Sequence, residues 1–363
     1  MQRNRLSKWL LTVSVFTAAA CSADRALSPP VDDLTKRVTA LGFSASGMQD
    51  YGSYVVVEGD IRLEKAILLG VVAPPEGAPS PGIQPPTPGR YQYHTTTTVS
   101  PTYVRQIRVN LNNINAVSNW ASAVRTAMAS YNGSGSNVYM YEASPGDITF
   151  SSVASAGYIA NASFPYQGSP SGKPGPTVTV NREYNDRYTA NQKEWVMAHE
   201  LGHTIGLRHD NAPNIEEDGG IGTHFISGTL EQDLNSVMIA IYDGRNWAGF
   251  SQYDLIALRT LYPIPFSVTV SGPFSIPRYQ SSQYTANTVA GSAPITYQWR
   301  LRHQTTQYVW GAWSGWTSPS SQNYTYTSVN SCGIVMTDLQ VMVTDAASQT
   351  ATNNILISVS DPC

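Results

Sequence analysis

The sequence predicts an α+β chain: a mixed sheet-and-helix domain over residues 103–264 followed by an all-β sandwich over residues 265–363. Three observations carry this reading. Between Val104 and Phe150 short β-type segments surround one segment of helical period, and a second helical segment occupies 194–205. From about Phe266 the texture changes to period-two segments at 267–270, 295–300, 339–344 and 355–359, separated by Gly, Ser, Pro and Asn. Upstream, seven prolines between Pro74 and Pro88 interrupt the chain with a stretch that favours extended backbone over packing.

Residues 1–21 read as an export signal. Arg3, Arg5 and Lys8 form a basic start, and residues 9–20 form an apolar run ending in small residues, too short to span a bilayer. Ala18-Ala19-Ala20-Cys21 resembles a bacterial lipobox, with alanine where leucine is usual, so two outcomes stand: a lipoprotein of the cell envelope anchored at Cys21, or a cleaved, secreted protein. Cys332 and Cys363 are then a candidate disulfide in an oxidising compartment. A net charge of −3 with 13% charged residues leaves no basic footprint for nucleic acid or for an anionic membrane surface. Membrane contact is expected only through the N-terminal anchor.

Residues 22–72 read as a propeptide-like region, with a helix over 31–41 and β-type residues at 54–57, Ile61 and Leu63. Glu58-Gly59-Asp60 lies between these strands, and Gly-Asp is ordinary turn chemistry. Residues 73–102 read as a proline-rich linker, with Arg90 a candidate activation cleavage point. The domain after it opens with a strand from Val104, Ile107, Val109 and Leu111 and a helix over 117–131, followed by strands at 138–141 and 148–150. Residues 157–165 and 177–180 supply two further strands ahead of the second helix.

That helix carries the chemistry. Residues 199–209 read His-Glu-Leu-Gly-His-Thr-Ile-Gly-Leu-Arg-His. On a helix, His199 and His203 lie one turn apart on one face and can offer two nitrogens to one metal ion. Glu200 sits beside them where a carboxylate can take a proton from an attacking water. Gly206 can adopt the left-handed conformation that ends a helix, returning His209 as third ligand. Three protein ligands leave a fourth zinc position open, the pattern of catalytic rather than structural zinc. Five fixed positions arise by chance in a chain of this length on the order of once in a hundred thousand. The N-x-x-E spacing of Asn191 and Glu194 suggests the capping box that starts this helix.

The long motif resembles the zinc signature of metzincin metallopeptidases, whose zinc lies above a methionine-containing turn. Residues 235–238, Asn-Ser-Val-Met, resemble that turn, which implies that Met238 floors the site without ligating. Residues 250–258 resemble the metzincin C-terminal helix, with Ser251 a plausible cap. From about Leu41 to Pro263 the chain is most similar to the bacterial dual-action HEIGH metallopeptidases, with Leu201 where the name-giving motif has isoleucine. The resemblance implies a zinc endopeptidase. Residues 157–165 would be the edge strand that pairs with a protein or peptide substrate, or else part of an ordinary hairpin. Glu58-Gly59-Asp60 resembles the Gly-Asp segment of astacin propeptides, which implies Asp60 as a latency ligand; a plain turn is the other reading. Tyr242 is a candidate oxyanion stabiliser, although it follows Met238 by four residues rather than the two of astacin-like enzymes. Residues 216–220, Glu-Glu-Asp-Gly-Gly, are acidic enough to hold Ca2+ but match no known calcium loop, and His224 nearby is not expected to ligate.

The C-terminal sandwich resembles immunoglobulin-like or polycystic-kidney-disease-type domains of secreted hydrolases. Trp299 is expected in its core. Trp310, Trp313 and Trp316 form an aromatic patch suited either to polysaccharide or surface contact or to packing across a hairpin. The competing functional class is a lipoprotein adhesin with a vestigial zinc site, against which an intact Glu200 argues.

Overall fold

The computed structural model describes residues 31–70 except 42, 91–210 except 118, 155 and 166–171, then 222–229, 233–240, and 244–360 except 306, 318–320 and 329–332. Its largest element is an eight-stranded mixed sheet in the order Gln49–Asp50, Tyr54–Val57, Ile61–Glu64, Ala160–Ser163, Thr177–Asn181, Ile148–Val153, Ile107–Asn110, Met140–Glu142. Pairing is parallel from Thr177–Asn181 outward to Met140–Glu142, while Ala160–Ser163 runs antiparallel to Thr177–Asn181. Helices Trp120–Asn132 and Ala190–Thr204 bury their apolar faces in one core with this sheet. The Tyr131 hydroxyl donates to the Ala198 carbonyl at 2.7 Å, tying the two helices together in the interior.

Residues 31–64 extend that sheet. The helix Val31–Ala40 and the hairpin of Tyr54–Val57 with Ile61–Glu64 close a second apolar cluster of Leu34, Val38, Phe43, Val55, Val57 and Leu63, to which Phe164 also belongs. Ile61–Glu64 then pairs in parallel with Ala160–Ser163. This corrects the reading of 157–165 as an exposed edge: the side of the strand away from Thr177–Asn181 is taken by Ile61 and Arg62.

The expected linker also ends early. Residues 71–90, with Arg90, lie outside the described residues, but from Tyr91 the chain is packed. Tyr93–His94 lies between Leu207–Arg208 and His224–Phe225 in a small antiparallel sheet, and Pro101–Val104 is a helical turn rather than linker or strand. The physical reason is composition: Tyr93, Val99 and Val104 are apolar and buried, which the preceding proline run is not equipped to be.

The C-terminal residues form two sheets, one of Ser267–Ser271, Ser281–Val289 and Asn323–Thr327, the other of Ser275–Pro277, Thr350–Ser360, Ile334–Thr344 and Thr296–Thr305. Both contribute to one apolar cluster that contains Trp299, Tyr284, Tyr326, Leu339 and Ile357. Trp310, Trp313 and Trp316 interleave with two arginines of Thr296–Thr305: Arg302 stacks on Trp310 and Trp313 at 4.8 and 4.4 Å, Arg300 on Trp313 and Trp316 at 4.5 and 4.2 Å. Among the described residues, no helix is long and apolar enough to cross a membrane.

Candidate metal centre

The helix Ala190–Thr204 begins at Thr189, whose side chain accepts from the Gln192 amide while the Gln192 side chain accepts from the Thr189 amide. This reciprocal cap replaces the expected Asn191/Glu194 pair. Thr189 starts the helix two residues earlier, and the residues from Trp195 to Thr204 are buried. At the other end Gly206 has φ +99°, a backbone region costly for residues with a Cβ, and turns the chain into Leu207–Arg208. The Thr95 amide holds that bend through the Gly206 carbonyl at 2.8 Å, and His209 follows.

His199, His203 and His209 are buried together. His199 Nδ1 faces the Val237 carbonyl at 2.6 Å and His203 Nδ1 faces the Leu207 carbonyl at 2.9 Å. A carbonyl can only accept, so both Nδ1 atoms carry the proton and both Nε2 lone pairs are left for a ligand. Asp60, from the turn after Tyr54–Val57, completes the group. Its carboxylate lies 3.3 Å from His199 Nε2, 3.8 Å from His203 Nε2 and 3.1 Å from His209 Nε2. The four ligating atoms fall within 4.8 Å of one another. Asp60 is at once a turn residue and a member of the cluster, so the two readings of Glu58-Gly59-Asp60 do not exclude each other.

The electrostatics follow from burial. Burial opposes ionisation of Asp60, but His209 and His199 hold its carboxyl well below the usual range. Burial would push His209 down, yet the charge and hydrogen bond of Asp60, with Glu58 behind, lift it to about 10. His203 is pushed well below its ordinary value by burial and by its two histidine neighbours. Glu200, also buried, is raised well above the ordinary carboxylate value by desolvation first and the charge of Asp60 second. Glu200 Oε2 and His203 Nε2 have no hydrogen-bond partner among the described residues, as expected of groups kept for a ligand. Beside them is a cavity of about 380 Å³ lined by Tyr158, Ile159, Tyr184, Trp195, Val196 and Ile239, with the turn of Glu58 to Asp60 along one wall.

Met238 is fully buried beneath the helix, and its Sδ occupies the space that a Cβ on Gly202 would need, at 2.6 Å. Its turn is held by Asp254. Asp254 Oδ1 accepts from Gln92 Nε2 at 2.8 Å and the Ser236 hydroxyl at 2.9 Å, and Oδ2 accepts from the Val237 and Ser251 amides at 3.0 Å each. Ser251 caps the helix Gln252–Leu261 reciprocally with Asp254. The carboxylate that caps one helix therefore also fixes the carbonyl that orients His199.

Sequence reasoning overlooked Asp254, Glu58, Arg208 and the need for glycine at 202. The Ser251/Asp254 spacing advertised a cap but not its second role. His224 lies apart, with Nε2 2.9 Å from the Thr96 hydroxyl and its ring against His94. Tyr242, the acidic loop 216–220, Cys21, Cys332 and Cys363 lie outside the described residues.

A buried three-histidine group beside a carboxylate, one oxygen of which has no hydrogen-bond partner among the described residues, is a candidate metal-dependent hydrolase site. Residues 84–262 match the family model of the dual-action HEIGH metallo-peptidases, in line with the buried group of His199, His203, His209 and Asp60. Comparison with curated proteins finds no match. A solved CARDB domain from Pyrococcus furiosus, in complex with di-metal ions, aligns at 11% identity over 26% of this chain and 88% of its own. The TM-score of that alignment is 0.16.

Two outcomes follow for the scaffold. Gly202→Ala, which at an open helical site would gain up to about 1 kcal/mol, is expected to lose about 1–3 kcal/mol here because Met238 and Tyr131 must move, read by chemical denaturation. Burial lifts Asp254 to about 6 from 3.8 against the bonds it accepts, so it holds its proton more tightly folded than unfolded. Its stabilising contribution is present below the unfolded value and is lost as pH rises through about 6. Urea titrations are expected to show the unfolding free energy falling over this window by on the order of 3 kcal/mol, a slope that Asp254→Asn flattens.

Proposed function

We propose that the chain is a zinc-dependent endopeptidase with a metzincin-like catalytic core and an immunoglobulin-like C-terminal sandwich, exported as a latent precursor. One observation carries the zinc reading. Zinc–nitrogen bonds of about 2.0–2.1 Å in tetrahedral geometry require ligand atoms roughly 3.3 Å apart. His199 Nε2 and His209 Nε2 are 3.3 Å apart, and Asp60 Oδ2 is 3.3 Å from His199 Nε2. The residues thus fit zinc held by His199, His203 and His209, with a carboxylate of the N-terminal region in the fourth position.

Zinc held there supplies Lewis acidity toward the attacking water and the scissile carbonyl. The protein supplies the rest. The carbonyls of Val237 and Leu207 keep two imidazoles in the ligating tautomer. Glu200 takes one proton as the water oxygen bonds to the carbonyl carbon, and returns it to the amide nitrogen as the C–N bond breaks. Asp60 stands where water and substrate must enter, which supports latency, with release by a cut in the proline-rich segment. An adhesin with a vestigial site is disfavoured, because it gains nothing from burying Glu200 with Oε2 unpaired among the described residues.

Glu200→Gln is expected to keep zinc, measured by metal analysis, and the folded spectrum while losing at least about a hundredfold in kcat on a quenched peptide; parent-like turnover in the zinc-loaded variant would refute the mechanism. Asp60→Ala in the uncleaved chain is expected to turn over a short peptide that the uncleaved parent does not, and matching activities would reject Asp60 as the switch.

A further inference from the structure

The three histidines differ in what faces their outer nitrogens. His199 Nδ1 and His203 Nδ1 meet the carbonyls of Val237 and Leu207, both within the family-matched stretch. His209 Nδ1 meets no carbonyl and makes no hydrogen bond among the described residues. The polar group that faces it is the Glu58 carboxylate, with Oε2 at 3.5 Å. Glu58 lies outside that stretch, in the same turn as Asp60.

The turn presents both carboxylates to one ring. Val57 pairs with Ile61, so Glu58, Gly59 and Asp60 alone make the bend. Glu58 adopts φ +52°, a conformation that a residue with a side chain holds only where its surroundings impose it. Its Oε1 accepts from the Ser44 amide at 3.0 Å, which leaves Oε2 toward His209. Asp60, two residues on, reaches His209 Nε2 at 3.1 Å, so the imidazole lies between two carboxylates from a single turn.

An imidazole that ligates through Nε2 is helped by an acceptor for its Nδ1 proton, which fixes the tautomer and ring plane and raises the basicity of the ligating nitrogen. A carboxylate does this more strongly than a neutral carbonyl. We infer that Glu58 is the positioning residue for His209 as a metal ligand, so that the turn carrying Asp60 also completes the third histidine and the N-terminal region supports metal binding as well as covering the metal. The inference rests on the zinc reading and adds to it a part for this region in metal loading, separate from latency.

Zinc affinity of the uncut full chain, measured by competition with a chromogenic chelator, tests this without any turnover. Glu58→Ala is expected to weaken zinc binding about 10–100-fold. Glu58→Gln, which keeps a neutral acceptor for Nδ1 and for the Ser44 amide, is expected to lose about half as much on a logarithmic scale. The loss in Glu58→Ala is expected to persist in the Asp60→Ala background, which separates support of His209 from ligation by Asp60. A purely structural Glu58 would lower the melting temperature of the metal-free chain and leave the zinc affinity of the folded chain unchanged. That result overturns the inference, as do parent-like affinity in Glu58→Gln, equal losses in the two variants, or a loss that vanishes without Asp60. Each of these leaves the zinc reading standing, whereas an uncut parent that binds no stoichiometric zinc refutes that reading and the inference with it.

Discussion

Two backbone carbonyls govern the site. Those of Val237 and Leu207 face the Nδ1 atoms of His199 and His203, and without them neither imidazole has a defined tautomer. Each carbonyl is in turn held by something distant in sequence. Val237 is fixed through its amide by Asp254, from the helix Gln252–Leu261. Leu207 is fixed by pairing with His94, more than a hundred residues upstream by sequence numbering. The fold around the helix Ala190–Thr204 is thus a means of placing two acceptors, and the buried Met238 beneath Gly202 sets how closely their supporting turn approaches.

What was legible in the sequence was whatever repeats locally. The spacing of His199, Glu200, His203 and His209 is helical geometry followed by one glycine bend, and the structure brings those residues together. The helix over 117–131 and the alternating C-terminal segments declared themselves through period alone, as Trp120–Asn132 and the two sheets around Trp299. Contacts between distant two-residue segments left no such trace. Tyr93–His94 has no strand pattern of its own, and it is a strand only because Leu207–Arg208 and His224–Phe225 flank it. The helix start was displaced because two capping spacings overlap between Thr189 and Glu194, and the structure takes the earlier one.

Glu58-Gly59-Asp60 illustrates the limit most clearly. Its composition specifies a turn, and Tyr54–Val57 and Ile61–Glu64 do form a hairpin around it. What the turn touches is decided elsewhere, by the parallel pairing of Ile61 with Ala162 and by the apolar cluster that Phe164 shares with residues 31–64. Those contacts carry the turn to the histidines. Arg208 was hidden for the same reason, since nothing beside it in sequence reveals that Phe43 and Glu58 surround it.

The continuous sheet has a consequence for how a precursor of this design would be switched on. Residues 71–90, twenty in number, join the helix Lys65–Gly70, which follows the strand Ile61–Glu64, to the stretch that resumes at Tyr91. Severing them breaks no pairing between Ile61–Glu64 and Ala160–Ser163 and none of the described contacts of Asp60. On the proposed function, the cut lets the inhibitory segment dissociate, so that its occupancy falls from that of an intramolecular ligand to whatever its free concentration in the surroundings allows. The scissile event would be silent in a confined space and decisive in a large one, so such an enzyme would read its own escape into an open volume as the signal to act.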